Sequence, residues 1–126
     1  MLNVDEWRFS LDVAWDDPWY RWQSVTTVAV LLLGTGWFLW QMIPEGLRSG
    51  LLVLHYNLYV GIDEVHPWPW MLLLPGSLIL VVFADLFASA FLFRRDRIAS
   101  RVLLCSASLF TVLSFVGPFF LVSVNL

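Results

Sequence analysis

A single carboxylate, Asp85, interrupts the apolar stretch PWMLLLPGSLILVVFADLFASAFLF from Pro69 to Phe93. A charge at the centre of a bilayer helix costs about 2.5–3.5 kcal/mol, and acids kept at that cost are functional by default. Asp85 precedes Arg94 by nine residues, about 13 Å of helix, which is too deep for a short side chain to reach water. Its chemistry is that of a protonatable site or of an ion-pair anchor for a partner helix. The structural alternative is a hydrogen-bonded acid at a helix seam.

A second set, His55, Asp63, Glu64 and His66, has the side-chain types that bind zinc or iron. The spacings, eight residues from His55 to Asp63 and three more to His66, match no established ligand motif. No metal and no other cofactor is therefore expected. A hydrogen-bonded turn, bent at Gly61 and capped by Asp63, accounts for the same residues. Cys105 lies in an apolar run without a basic neighbour to activate it and reads as packing. Gly34-Thr35-Gly36 lacks the lysine of a phosphate loop.

The elements that position these residues are membrane helices. Of 126 residues, 60% are hydrophobic, 17% aromatic and only 13% charged, with a mean hydropathy of +0.76. Soluble domains carry roughly a quarter charged residues, and a chain this short cannot hide so much apolar surface from water. The net charge of −3 argues against nucleic acid as a partner, because binding the phosphate backbone needs a basic surface. Residues 1–23 are acidic and mixed, unlike the basic start and apolar core of a secretion signal. The first apolar run is thus expected to act as an uncleaved signal anchor.

The expected fold is an all-α membrane protein with three transmembrane helices, at 24–43, 69–93 and 102–124, because roughly 20 apolar residues cross a hydrocarbon core about 30 Å thick. Leu47 to Ile62, which contains Arg48, His55 and Asn57, is too short and polar to be a fourth. All seven basic residues are arginines. Arg94, Arg95, Arg97 and Arg101 occupy the 94–101 link, Arg8 and Arg21 precede the first span, and Arg48 alone lies in the 44–68 loop. This asymmetry places the N-terminus in the cytoplasm and the C-terminus outside. Trp15, Trp19 and Trp22 before the first span, Trp37 and Trp40 toward its other end, and Trp68 and Trp70 opening the second read as interfacial anchors.

Smaller signals complete the layout. Asp16-Asp17-Pro18 marks a helix start that runs into the first span. Trp7, Phe9, Leu11, Val13 and Trp15 alternate as in a strand. Small residues at Ala107, Thr111, Ser114 and Pro118, at Ala84 and Ala88, and at Gly34 and Gly36 suit close helix packing, and Gly117-Pro118 should kink the third helix.

The outer loop contains Leu51 to Val60, either an amphipathic strand or a re-entrant helix. As a strand it places Val53, His55, Asn57 and Tyr59 on one face. A lone strand cannot satisfy its own backbone, so it calls for another copy or a different protein. The segment LHYNLYVGID (Leu54–Asp63) resembles small bacterial multi-span membrane proteins that carry a His-Tyr-Asn-x-Tyr-x-Gly-Ile-Asp pattern between hydrophobic spans. That resemblance covers ten residues, implies a bacterial membrane protein without an assigned activity, and joins His55, Tyr56, Asn57, Tyr59, Gly61 and Asp63, with His66 nearby, into one unit.

Three functions follow, in descending order. The first is a non-catalytic accessory or assembly subunit of a larger bacterial membrane complex, with the bilayer, other subunits or further copies as partners. An oligomeric transporter using Asp85 comes next, and a lipid-directed enzyme using His55 and Asp63 last.

Overall fold

The computed structural model describes residues 4–57, 59 and 61–126, with the side chains of residues 55–57 and 61–64 outside that description. The first element is a helix, α1 (Val4–Asp16), not the strand that the alternation suggested. Period two and period 3.6 coincide in this stretch: Trp7, Leu11 and Trp15 also recur every four residues and form one helical stripe. Asp5 and Glu6 in the first turn favour the helix through its dipole.

Asp17 ends α1 and caps α2 (Pro18–Ser49): its Oδ1 accepts from the Tyr20 N–H at 3.0 Å, and Pro18 supplies a preset φ. The 32 residues of α2 make a rod about 48 Å long, which overshoots the hydrocarbon core. The loop expected from residue 44 therefore begins six residues later. Pro44 withholds a donor from the Trp40 carbonyl, but Trp40 is 80% exposed, so the helix continues past it to Gly50. There φ is +75°, and the Gly50 N–H bonds the Gly46 carbonyl at 2.9 Å.

The expected lone strand is half of a hairpin. β1 (Leu51–Asn57) pairs antiparallel with β2 (Gly61–Pro67), so the chain supplies the partner that a single strand needs, and no re-entrant helix forms. Register shifts on both sides of His55 break strict alternation, and Tyr59 lies in the turn rather than on a strand face. Asp63 sits within β2 rather than at a helix start.

A 3-10 turn (Trp68–Leu72) leads into α3 (Leu73–Leu92). The arginine link shortens to residues 93–96. Asp96 caps α4 (Arg97–Ser114) by accepting from the Ala99 N–H at 2.9 Å, so Arg97 and Arg101 belong to the helix. A break at Phe115 separates α4 from α5 (Val116–Asn125). Pro118 has no N–H for the Ser114 carbonyl, so the kink falls three residues before the proline. Phe115 lies against α2 at Gly34, where any β-carbon would intrude on its ring. Among the described residues, three stretches are long and apolar enough to cross a membrane: Pro18–Ser49, Trp68–Leu92 and Arg97–Asn125.

Buried contacts form at three levels of the bundle. Ala14, Tyr20, Phe93 and Leu104 pack near the arginine turn, Leu31, Leu78 and Val82 midway, and Phe38, Met42, Leu52, Met71 and Val122 beneath the hairpin. Helix seams carry hydroxyl bonds suited to lipid. Ser89 and Ser100 exchange bonds to each other's carbonyls at 2.8 and 2.7 Å, and Ser108 accepts from Gln23 Nε2 at 2.8 Å. Ala107 and Thr111 are buried as their spacing implied. Ala84 is exposed and Ala88 only half-buried; Ser89 and Ala90 form that seam instead.

Candidate functional site

Asp85 lies in α3, two turns from its arginine end, and is half-buried. No hydrogen bond or ion pair joins its carboxylate to another described residue. It is a half-buried acid flanked by Ala84, which is exposed, and Leu86, which is also half-buried. Chemically, such a group binds a cation, a proton or a donor brought by a neighbouring helix.

The His-Tyr-Asn segment and the Gly-Ile-Asp segment lie on the two strands of the hairpin. Backbone register sets His55 opposite Glu64, Tyr56 opposite Ile62 and Asn57 opposite Gly61. His66 pairs with Leu52, two rungs from His55. The side chains of His55, Tyr56, Asn57 and Asp63 fall outside the described residues. Tyr59, in the turn, is 94% exposed. The His66 ring stacks on Trp70 with centroids 5.3 Å apart. Among the described residues no cluster of three or more metal-ligating side chains occurs.

What holds this hairpin is a residue that the sequence reading passed over. The Asn125 side chain at the end of α5 accepts from the Val53 N–H at 2.8 Å and donates to the Val53 carbonyl at 2.9 Å. A second donation, to Leu121 O at 2.9 Å, fixes its rotamer. One amide thus imitates a neighbouring strand at the open edge of β1. Its signal was faint: one amide in an apolar tail.

At the other end, the four arginines singled out for topology each lie over an aromatic ring. Arg94 covers Phe9 at 4.5 Å, Arg95 covers Phe91 at 4.9 Å, Arg97 covers Phe93 at 5.4 Å and Arg101 covers Trp19 at 5.1 Å. Arg101 also donates to Asp17 Oδ2 at 2.9 Å. The Tyr20 N–H, reinforced by Arg101, holds the Asp17 carboxyl below the usual carboxylate range. Trp15, Trp19 and Trp22 are exposed near this end, and Trp37, Trp40 and Trp70 toward the other. Trp68 differs: it is half-buried against the cluster beneath the hairpin, with Gly46 opposite its β-carbon. Cys105 also departs from expectation, since it faces outward rather than packing.

Two cavities contain buried polar atoms. A groove of about 650 Å³ runs between α1, α2 and α3, lined by Trp7 and Ser24, whose Nε1–H and hydroxyl have no hydrogen-bond partner among the described residues. A smaller cavity of about 310 Å³ lies at the Phe115 break and is lined by Thr35, whose hydroxyl is likewise without a partner among the described residues. Comparison with family models, curated proteins and solved structures gave no match.

Proposed function

We propose that this chain is a non-catalytic accessory or assembly subunit of a larger complex in a bacterial cytoplasmic membrane, with the arginine-bearing end in the cytoplasm. One observation carries the reading: the half-buried Asp85 carboxylate, which has no bonded partner among the described residues of its own chain. An acid in an apolar span is kept where something pairs with it, and a basic or amide side chain on another subunit's helix meets that need. The hairpin, seated on all three spans and ending in the exposed Tyr59, offers the same partner a second contact outside the bilayer.

The test is purification from native membranes in mild detergent, with mass spectrometry of the accompanying proteins. Foreign subunits should be recovered in fixed stoichiometry. Asp85→Asn should lower their recovery at least about tenfold, a loss of 1.4 kcal/mol, without unfolding the bundle. A clean homo-oligomer, or undiminished recovery with Asp85→Asn, would sink the proposal.

A second reading, an oligomeric transporter of protons or small solutes, is favoured by the break at Phe115 beside the unbonded Thr35 hydroxyl. It requires flux in liposomes that falls with Asp85→Asn.

A further inference from the structure

Where α1 crosses α3, the contact is fixed by two bonds of different kinds. Ser10 Oγ donates to the Ala90 carbonyl at 2.7 Å, and Trp7 stacks on Phe87 with centroids 4.8 Å apart. On one flank of this crossing lies a recess of about 180 Å³, lined by Glu6, Ser10, Phe91, Arg94 and Arg95. Ser10 is buried and its hydroxyl is already engaged, so the chemistry left in the recess belongs to the three charged groups.

These three charges do not cancel one another. Neither guanidinium lies within ion-pair distance of Glu6 or of any other described carboxylate. The guanidinium carbon of each lies over a ring instead, Arg94 over Phe9 and Arg95 over Phe91. A cation–ring contact restricts the side chain without consuming its N–H donors, which stay available to an external acceptor. Two oriented guanidinium groups suit a phosphate, which takes forked hydrogen bonds from arginine. Glu6, facing the same space, suits a cation that can donate hydrogen bonds.

We propose that this recess is a headgroup site for phosphatidylethanolamine, with the phosphate on Arg94 and Arg95 and the ammonium on Glu6. The lipid class follows from the charge pattern. A phosphoglycerol headgroup offers no cation to Glu6, and a choline offers one without an N–H to donate. The recess also lies at the right depth, at the polar end of the second span beside the aromatic anchors, where headgroups reside. Below it, Ala84 and Leu80 continue the stripe of Phe91 along α3 and are exposed, Leu80 to 71%. A hydrocarbon tail that leaves the recess thus finds an apolar track toward the bilayer centre.

Native mass spectrometry of the purified chain, exchanged into detergent with equal amounts of phosphatidylethanolamine, phosphatidylcholine and phosphatidylglycerol, tests the assignment. One phosphatidylethanolamine per chain should be retained, at least tenfold over either competitor. Glu6→Gln, a change at an exposed position, should abolish that preference while phosphatidylglycerol retention holds or rises. Replacing Arg94 and Arg95 by Gln should lower retention of both lipids, with the melting temperature followed as a control for folding. Equal retention of all three lipids by the unaltered chain would mean an unselective lipid shell and would overturn the proposal. A preference for phosphatidylglycerol would overturn it in favour of a purely cationic site. Displacement of the lipid by inorganic phosphate alone would show a free-anion site and also reject it.

Discussion

The two ends of the bundle are held together by different physics. Beneath the hairpin, Phe38, Met42, Leu52, Met71 and Val122 exclude solvent from one another, and a single amide clamp fixes the strand edge. At the arginine end, fixation is directional: Ser10 to Ala90, the Ser89–Ser100 exchange, Asp17 to Arg101, and four guanidinium–ring stacks. A sheet with an apolar face can be seated by burial alone. By contrast, α1 buries only Ser10 and Ala14 among its described residues and needs bonds with defined geometry. The hairpin end should therefore respond to volume, and the arginine end to charge, salt and pH.

The sharpest way to break this contrast is to add volume under the hairpin. In Gly46→Ala the new β-carbon would meet the Trp68 β-carbon at 2.7 Å, a clash that neither backbone can relieve cheaply. A loss of about 3 kcal/mol is expected, read as a lower melting temperature in detergent, while the same substitution at Gly36, which faces open space, should change little. If the two variants melt alike, the hairpin end is not volume-limited.

Asn125→Ala comes next. It leaves the Val53 N–H and carbonyl without the bonds they now make, a loss of about 2 kcal/mol if both groups stay dry. Hydrogen exchange at the Val53 amide should accelerate while amides of α3 keep their protection. Uniform acceleration would mean that the clamp supports the whole fold rather than one edge.

The smallest effect belongs to the arginine end. Asp17→Ala removes the cap of α2 and the partner of Arg101, an expected loss of about 1 kcal/mol. Because folding lowers the Asp17 pKa, its contribution is complete above the usual carboxylate range and disappears as pH falls through the lowered value. The difference in melting temperature between the two proteins should therefore shrink in acid. A gap that persists well below that range would show that the loss is not the carboxylate's charge.

Legibility in the sequence followed the strength of the local signal. Long apolar runs with at most one charge made the three spans readable, and Asp17-Pro18 announced the start of α2 because cap and proline act within one turn. The hairpin was half-read. Leu51–Asn57 has strand composition, whereas GIDEVHP is acidic and ends in proline, so β2 gains its conformation from pairing with β1 rather than from propensity. The helix α1 was misread because its aromatic residues satisfy both periods, and only contact with α3 decides between them. Asp85 was conspicuous in sequence, but its lack of a bonded partner is a three-dimensional fact. The rings beneath the arginines lie up to 85 residues away along the chain, as Phe9 does from Arg94, and no spacing rule spans that distance.

Asn125 is separated from Val53 by 72 residues, and that interval has a consequence for biosynthesis. At translation rates of about 5–20 residues per second, roughly 4 to 14 s pass between synthesis of the strand and synthesis of its clamp. During that interval β1 can pair with β2, but its other edge stays open at Val53 until α5 has been made. The order of synthesis thus sets a period in which that edge is unclamped, and completion of α5 closes it.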